Sequence, residues 1–150
     1  MQFKSVDEIL DFAIRKEEEA RNLYRGLATK AKQPGMKAVL EGFAAEEDGH
    51  RTKLVSVKQG NKLLSSQQAV MDLKIGDTLV DVEISPDMDY QEILILAMKA
   101  EKEAFKLYSE LAKAAGDAGI KDLFLGLAQE EAKHKLRFEV EYDDRVLTDN

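Results

Sequence analysis

The two histidines of this 150-residue chain close two near-copies of one stretch. Gly42-Phe43-Ala44-Ala45-Glu46-Glu47-Asp48-Gly49-His50 returns as Gly126-Leu127-Ala128-Gln129-Glu130-Glu131-Ala132-Lys133-His134, offset by 84 residues at every matched position. Each copy contains Glu-x-x-His: Glu47 with His50, and Glu131 with His134. On a helix that spacing puts both side chains on one face, one turn apart. A carboxylate and an imidazole so arranged can be offered to a single metal centre. Alone, either pair could equally be a core histidine beside a surface acid.

The elements that would position them follow from hydrophobic spacing. Ser5-Val6-Asp7-Glu8 reads as a capping box, and Leu10, Ala13, Glu17, Ala20, Tyr24, Leu27 and Ala31 then step by threes and fours along one helical seam. Lys32-Gln33-Pro34-Gly35 breaks this first helix. A second runs to about Gln59, with its seam at Met36, Leu40, Phe43, Glu47, His50, Leu54 and Val57. Asp89-Tyr90-Gln91-Glu92 repeats the capping box at the same 84-residue offset and opens a third helix. Its seam is Leu94, Ala97, Glu101, Ala104, Tyr108, Leu111 and Ala115. After a turn at Gly116-Asp117-Ala118-Gly119, the fourth helix, about Ile120 to Tyr142, buries Ile120, Phe124, Leu127, Glu131, His134 and Phe138. Residues 61–88 are less regular: Leu63-Leu64-Ser65-Ser66 suggests a short helical piece, Lys74-Ile75-Gly76-Asp77 a turn, and Thr78 to Ile84 an extended run. So long a connection suits a crossover between opposite ends of a bundle. The polar tail, Asp143 to Asn150, is expected to fray.

One all-α domain over residues 1–150 is therefore expected. It is an antiparallel four-helix bundle made of two duplicated hairpins, 5–60 and 89–142, joined by the 61–88 crossover. Each hairpin has an open apolar face that the other must cover. The helical share should far exceed the usual third of residues.

Six seam positions are nevertheless polar: Glu17, Glu47, His50, Glu101, Glu131 and His134. A buried ionised carboxylate is destabilising by several kcal/mol unless compensated, and no seam carries Lys or Arg. Compensation must come from protonation, water or bound cations. Measured from Gln33, Glu17 lies 16 residues before, and Glu47 and His50 lie 14 and 17 after; the second hairpin gives the same spacings about Asp117. At a rise of 1.5 Å per residue all six stand about 21–26 Å from their own turns. Two divalent ions would neutralise four such carboxylates. Glu18, Glu19, Glu46, Glu103, Glu110 and Glu130 fall off the seams and read as solvated, although Glu46 and Glu130 are spaced to reach a histidine at i, i+4.

Composition narrows the partners. The net charge of −7 disfavours nucleic acid and anionic membranes, and no run approaches the length of a membrane span. Without cysteine there is no disulfide, thiolate site or iron–sulfur cluster. With no signal-like opening, a cytoplasmic location is expected.

These motifs resemble the rubrerythrin-type members of the ferritin-like superfamily. Glu17-x-x-Ala20-x-x-x-Tyr24 and Glu101-x-x-Ala104-x-x-x-Tyr108 are similar to that family's first and third helices, and the two Glu-x-x-His stretches to its second and fourth. The resemblance implies a dinuclear iron site, with manganese or zinc as alternatives. Glu47 and Glu131 would bridge, Glu17 and Glu101 would be terminal, and His50 and His134 would supply nitrogen. Tyr24 and Tyr108 resemble tyrosines that hydrogen-bond ligand carboxylates, a role that competes here with plain aromatic packing. Rubrerythrins carry a further glutamate where this chain has Ala104, and usually a cysteine-ligated rubredoxin module that this chain lacks. The implied function is a redox enzyme, peroxide reductase or ferroxidase in type, in which a diferrous site meets hydrogen peroxide or O2 and an external electron-donor protein supplies reductant. The alternative is an iron-sequestering protein without rapid turnover. A homodimer is expected, with Val80, Val82, Ile84 and Leu94-Ile95-Leu96 as candidate contacts.

Overall fold

A computed structural model describes residues 2–60, 71–72, 87–116 and 118–144. Four long helices dominate: α1 (Val6–Lys30), α2 (Pro34–Gly60), α3 (Tyr90–Ala114) and α4 (Ala118–Tyr142). They pack as two hairpins, α1 on α2 and α3 on α4, with α1 and α3 also in contact. The all-α bundle is the observed class. One feature was not anticipated: a two-residue strand, β1 (Gln2–Phe3), pairs antiparallel with β2 (Met71–Asp72).

Both odd-numbered helices start where their caps place them. Ser5 Oγ accepts from the Glu8 amide at 3.2 Å, and Asp89 Oδ1 accepts from the Glu92 amide at 2.8 Å. Each satisfies a donor that the first helical turn leaves without a partner. The return bond of the first box is shifted by one residue, from the Lys4 amide to Glu8 Oε2 at 2.6 Å. Pro34 and Gly35, expected within the break, form the first turn of α2 instead. Proline suits a first-turn position because it lacks only an amide that has no helical partner there. Likewise Ala118 and Gly119 belong to α4 rather than to the turn.

The core is divided along the bundle. One apolar cluster joins Ile9, Leu10 and Phe12 of α1 and Leu54 of α2 to Leu107 and Leu111 of α3 and Phe124 of α4. The other joins Tyr24 and Leu27 of α1 and Met36 and Leu40 of α2 to Leu94 of α3 and Phe138 of α4. The start of α1 thus lies beside the end of α3, and the two hairpin turns sit at opposite ends. α2 finishes at one end of the bundle and α3 begins at the other. The pieces expected at Leu63–Ser66, Lys74–Asp77 and Thr78–Ile84 fall outside the described residues, as do residues 145–150 of the tail. Leu94, offered as a dimer contact, is fully buried in the core; Ile95 beside it is 44% exposed. Among the described residues, no helix is long and apolar enough to cross a membrane.

Candidate metal centre

Between the two apolar clusters lies a polar layer. Glu17, Glu47, Glu101, Glu131 and His134 are all at most 3% exposed, and the His50 side chain is 13% exposed. Every helix contributes: Glu17 from α1, Glu47 and His50 from α2, Glu101 from α3, Glu131 and His134 from α4. All six sequence-selected groups are brought together.

The side chains form two overlapping groups. Glu17, Glu47, His50 and Glu131 offer ligand atoms within 4.8 Å of one another, and so do Glu47, Glu101, Glu131 and His134. Glu47 and Glu131 belong to both, so a carboxylate from each hairpin stands between two candidate cation positions. His50 Nδ1 lies 3.1 Å from Glu131 and 3.6 Å from Glu17, while His134 Nδ1 lies 3.0 Å from Glu47 and 3.3 Å from Glu101. The two imidazole planes are nearly parallel, at 12°, with centroids 6.4 Å apart.

This layer is electrostatically incomplete on its own. Burial pushes Glu17 and Glu101 up to about 8 and raises Glu131 well above the usual carboxylate range. Burial also works against protonation of His50, yet the carboxylates of Glu131, Glu17 and Glu47 push it up to about 12. His134 is raised against the same opposition, chiefly by Glu47. Even so, Glu17 Oε2, Glu47 Oε1, His50 Nδ1, Glu101 Oε2 and both Glu131 oxygens are buried without completing a hydrogen bond. Buried polar atoms are otherwise almost always partnered. Oxygen-rich donors with two imidazoles, aimed inward and lacking partners, fit divalent transition-metal ions.

The two tyrosines act across hairpins. Tyr24 on α1 donates to Glu101 Oε1 on α3, and Tyr108 on α3 donates to Glu17 Oε1 on α1. Burial, with the surrounding carboxylates, raises both phenols well above their ordinary range, so they stay protonated as donors. They therefore combine the packing and hydrogen-bonding roles that the sequence left open.

Of the acids read as solvated, Glu103 departs from that expectation, whereas Glu46 is 52% exposed as expected but has a partner that spacing did not indicate. Glu103 is half-buried, with Oε2 enclosed and unpartnered. Glu46 Oε2 lies 2.7 Å from His134 Nε2, on the opposite hairpin rather than at i, i+4. The spacing within α2 pointed to His50, and the relative direction of the hairpins, which would have pointed to His134, is not encoded in spacing. Glu130 does remain at the surface, 3.5 Å from Lys133.

Comparison with known proteins agrees with this architecture. The structure superposes on a hypothetical protein from Pyrococcus furiosus with a TM-score of 0.69, at 27% identity, over 93% of this chain and 89% of that one. It superposes on a Thermotoga maritima protein described as a ferritin-like diiron-carboxylate protein with a TM-score of 0.72, at 20% identity, over 96% and 97% of the chains. No curated protein matches the sequence. The rubrerythrin family model matches residues 8–142, nearly the whole chain and all four helices that build the polar layer, and the chain belongs to the rubrerythrin family.

Proposed function

We propose that this protein is a non-haem dinuclear iron oxidoreductase whose diferrous site reacts with hydrogen peroxide or O2. The observation that carries the reading is the pair of overlapping ligand groups sharing Glu47 and Glu131. In this reading Glu47 and Glu131, common to both groups, would be shared by two ions, with Glu17 and His50 completing one position and Glu101 and His134 the other. Two ferrous ions held there supply two electrons, enough to reduce one hydrogen peroxide to two waters with uptake of two protons. The chain's own part is to prepare the place. Tyr24 and Tyr108 fix one oxygen of each terminal carboxylate, leaving the other for metal. The apolar clusters on either side limit water. In this reading the reductant comes from a separate electron-donor protein. We further propose that it works as a homodimer.

Metal analysis of protein purified without added metal tests the site. About two iron ions per chain are expected, lost together in Glu47→Ala combined with Glu131→Ala. Stopped-flow mixing of ferrous-loaded protein with peroxide then tests the activity: oxidation complete within seconds supports the enzyme. A rate equal to that of free ferrous ion would leave the sequestration reading instead.

A further inference from the structure

The two halves of the metal layer are related by the 84-residue duplication, yet their imidazoles are held differently. His134 is braced on two sides: Nε2 meets Glu46 at 2.7 Å, and its ring stacks on Phe43 with centroids 3.9 Å apart and planes 18° apart. Phe43 is itself wedged edge-on against Phe138 and Tyr24. At the equivalent positions beside His50 the sequence has Glu130 for Glu46 and Leu127 for Phe43. Among the described residues, the carboxylates near His50 (those of Glu17, Glu47 and Glu131) all approach Nδ1, and none stands behind the ring.

The cause is legible. Glu130 is engaged by Lys133 one turn along α4, whereas the residue one turn beyond Glu46 is Gly49, which offers no competing cation. The antiparallel arrangement of the hairpins directs Glu46 toward His134 and Glu130 toward His50 alike, so the side chains around them, not the register, separate the two halves. Glu46 is one residue nearer the α2 turn than Glu47, and His134 is three residues further from the α4 turn than Glu131. Both displacements run toward the same end of the bundle.

We propose that Glu46 is a positioning residue for His134 and makes the two metal positions unequal. The position served by His134 fills first and tightly, and the one served by His50 is the weaker, exchangeable position. With Nε2–H donating to Glu46, the tautomer is fixed and the Nδ1 lone pair faces Glu47 and Glu101. A carboxylate behind an imidazole fixes the ring and raises its basicity; removing such a partner typically weakens metal binding about 10–100-fold. The inference rests on reading the layer as a two-metal site, and its test separates the two.

Zinc titration of the chelator-treated protein, followed by 1H–15N spectra of its two imidazoles, reports each position directly. The first equivalent should shift His134 and leave it as the Nε2–H tautomer; the second should shift His50. Glu46→Ala should weaken the first step about 10–100-fold and leave the second unchanged. Glu46→Gln, whose amide oxygen can accept the same bond, should retain most of the first step. Glu130→Ala should alter neither. Both imidazoles shifting together, His50 shifting first, or Glu46→Ala leaving the first step intact would each overturn the inference while leaving a two-metal site standing. Failure of either imidazole to respond to zinc would overturn the two-metal reading along with it.

Discussion

Tyr24 and Tyr108 each reach past their own hairpin to a glutamate on the other, so the repeat is stitched by a reciprocal pair of bonds. Losing one hydroxyl leaves a buried carboxyl oxygen without its donor, which is destabilising by about 1–3 kcal/mol. Tyr24→Phe and Tyr108→Phe should therefore lower the urea-unfolding free energy of the metal-free protein by that amount, and by similar amounts for the two variants. Unequal losses would show that the reciprocity is geometric without being energetic. The glutamates they contact also set a pH dependence. Glu17 and Glu101 are held up to about 8, against an ordinary 4.5. Between those values the folded metal-free chain retains protons that the unfolded chain has released, so stability falls as pH rises through this window. His50 acts in the same direction above its ordinary 6.5. The unfolding midpoint of the metal-free protein should therefore drop from pH 5 to pH 8. Metal uptake near pH 7 should also release protons, seen as a buffer-dependent heat in calorimetry. A midpoint that climbs over this range would contradict the burial assigned to these groups.

Helix starts were the most legible elements, because a cap is a local event. Ser5 and Asp89 each serve the amide three residues on, as their sequence pattern requires. Asp89→Ala and Ser5→Ala should each be destabilising by about 1 kcal/mol in chemical unfolding, with metal stoichiometry unchanged. Pro34 shows the limit of the same reasoning: it reads as a breaker, yet its missing amide is harmless in the first turn of α2. The six polar seam positions were legible for a different reason. Each interrupts an apolar period, and the duplication states the interruption twice. What spacing could not give was the direction of one hairpin against the other. That direction makes Glu46, still an exposed acid, the partner of His134, and no pattern internal to α2 contains it. Glu103, half-buried with one oxygen enclosed, lies off every seam and carries no mark in the spacing. The pairing of Gln2–Phe3 with Met71–Asp72 joins segments too short to carry any period.

At the scale of the whole molecule the duplication serves as an internal control on the surface. The large apolar side chains most exposed among the described residues are Ile95, Phe105, Leu125, Leu136 and Val140, all on the second hairpin. Their counterparts 84 residues earlier are Asp11, Arg21, Glu41, Thr52 and Ser56, every one polar. Arg21 even completes an ion pair with Asp48 at 2.7 Å, where the second hairpin has Phe105 and Ala132. One fold position is thus solvated in the first hairpin and apolar in the second, so burial in the monomer does not explain the difference. Leu125, Leu136 and Val140 stand near whole numbers of turns apart and form one outward stripe on α4. Among the described residues no matching stripe exists on the first hairpin, and under the proposed homodimer the same stripe on a second copy would be its complement, packed about a two-fold axis. Within that proposal the contact expected at Leu94–Leu96 would lie on α4 instead, because Leu94 is buried in the core. Writing the first hairpin's residues into the second, as Leu125→Glu with Leu136→Thr and Val140→Ser, should convert a dimer to a monomer in sedimentation analysis. Because all three side chains are exposed, zinc stoichiometry should not change and the helical signal should remain. A variant that sediments as the parent does would show that these exposed leucines and valine face water in the working protein, and that the second hairpin's apolar surface needs another explanation.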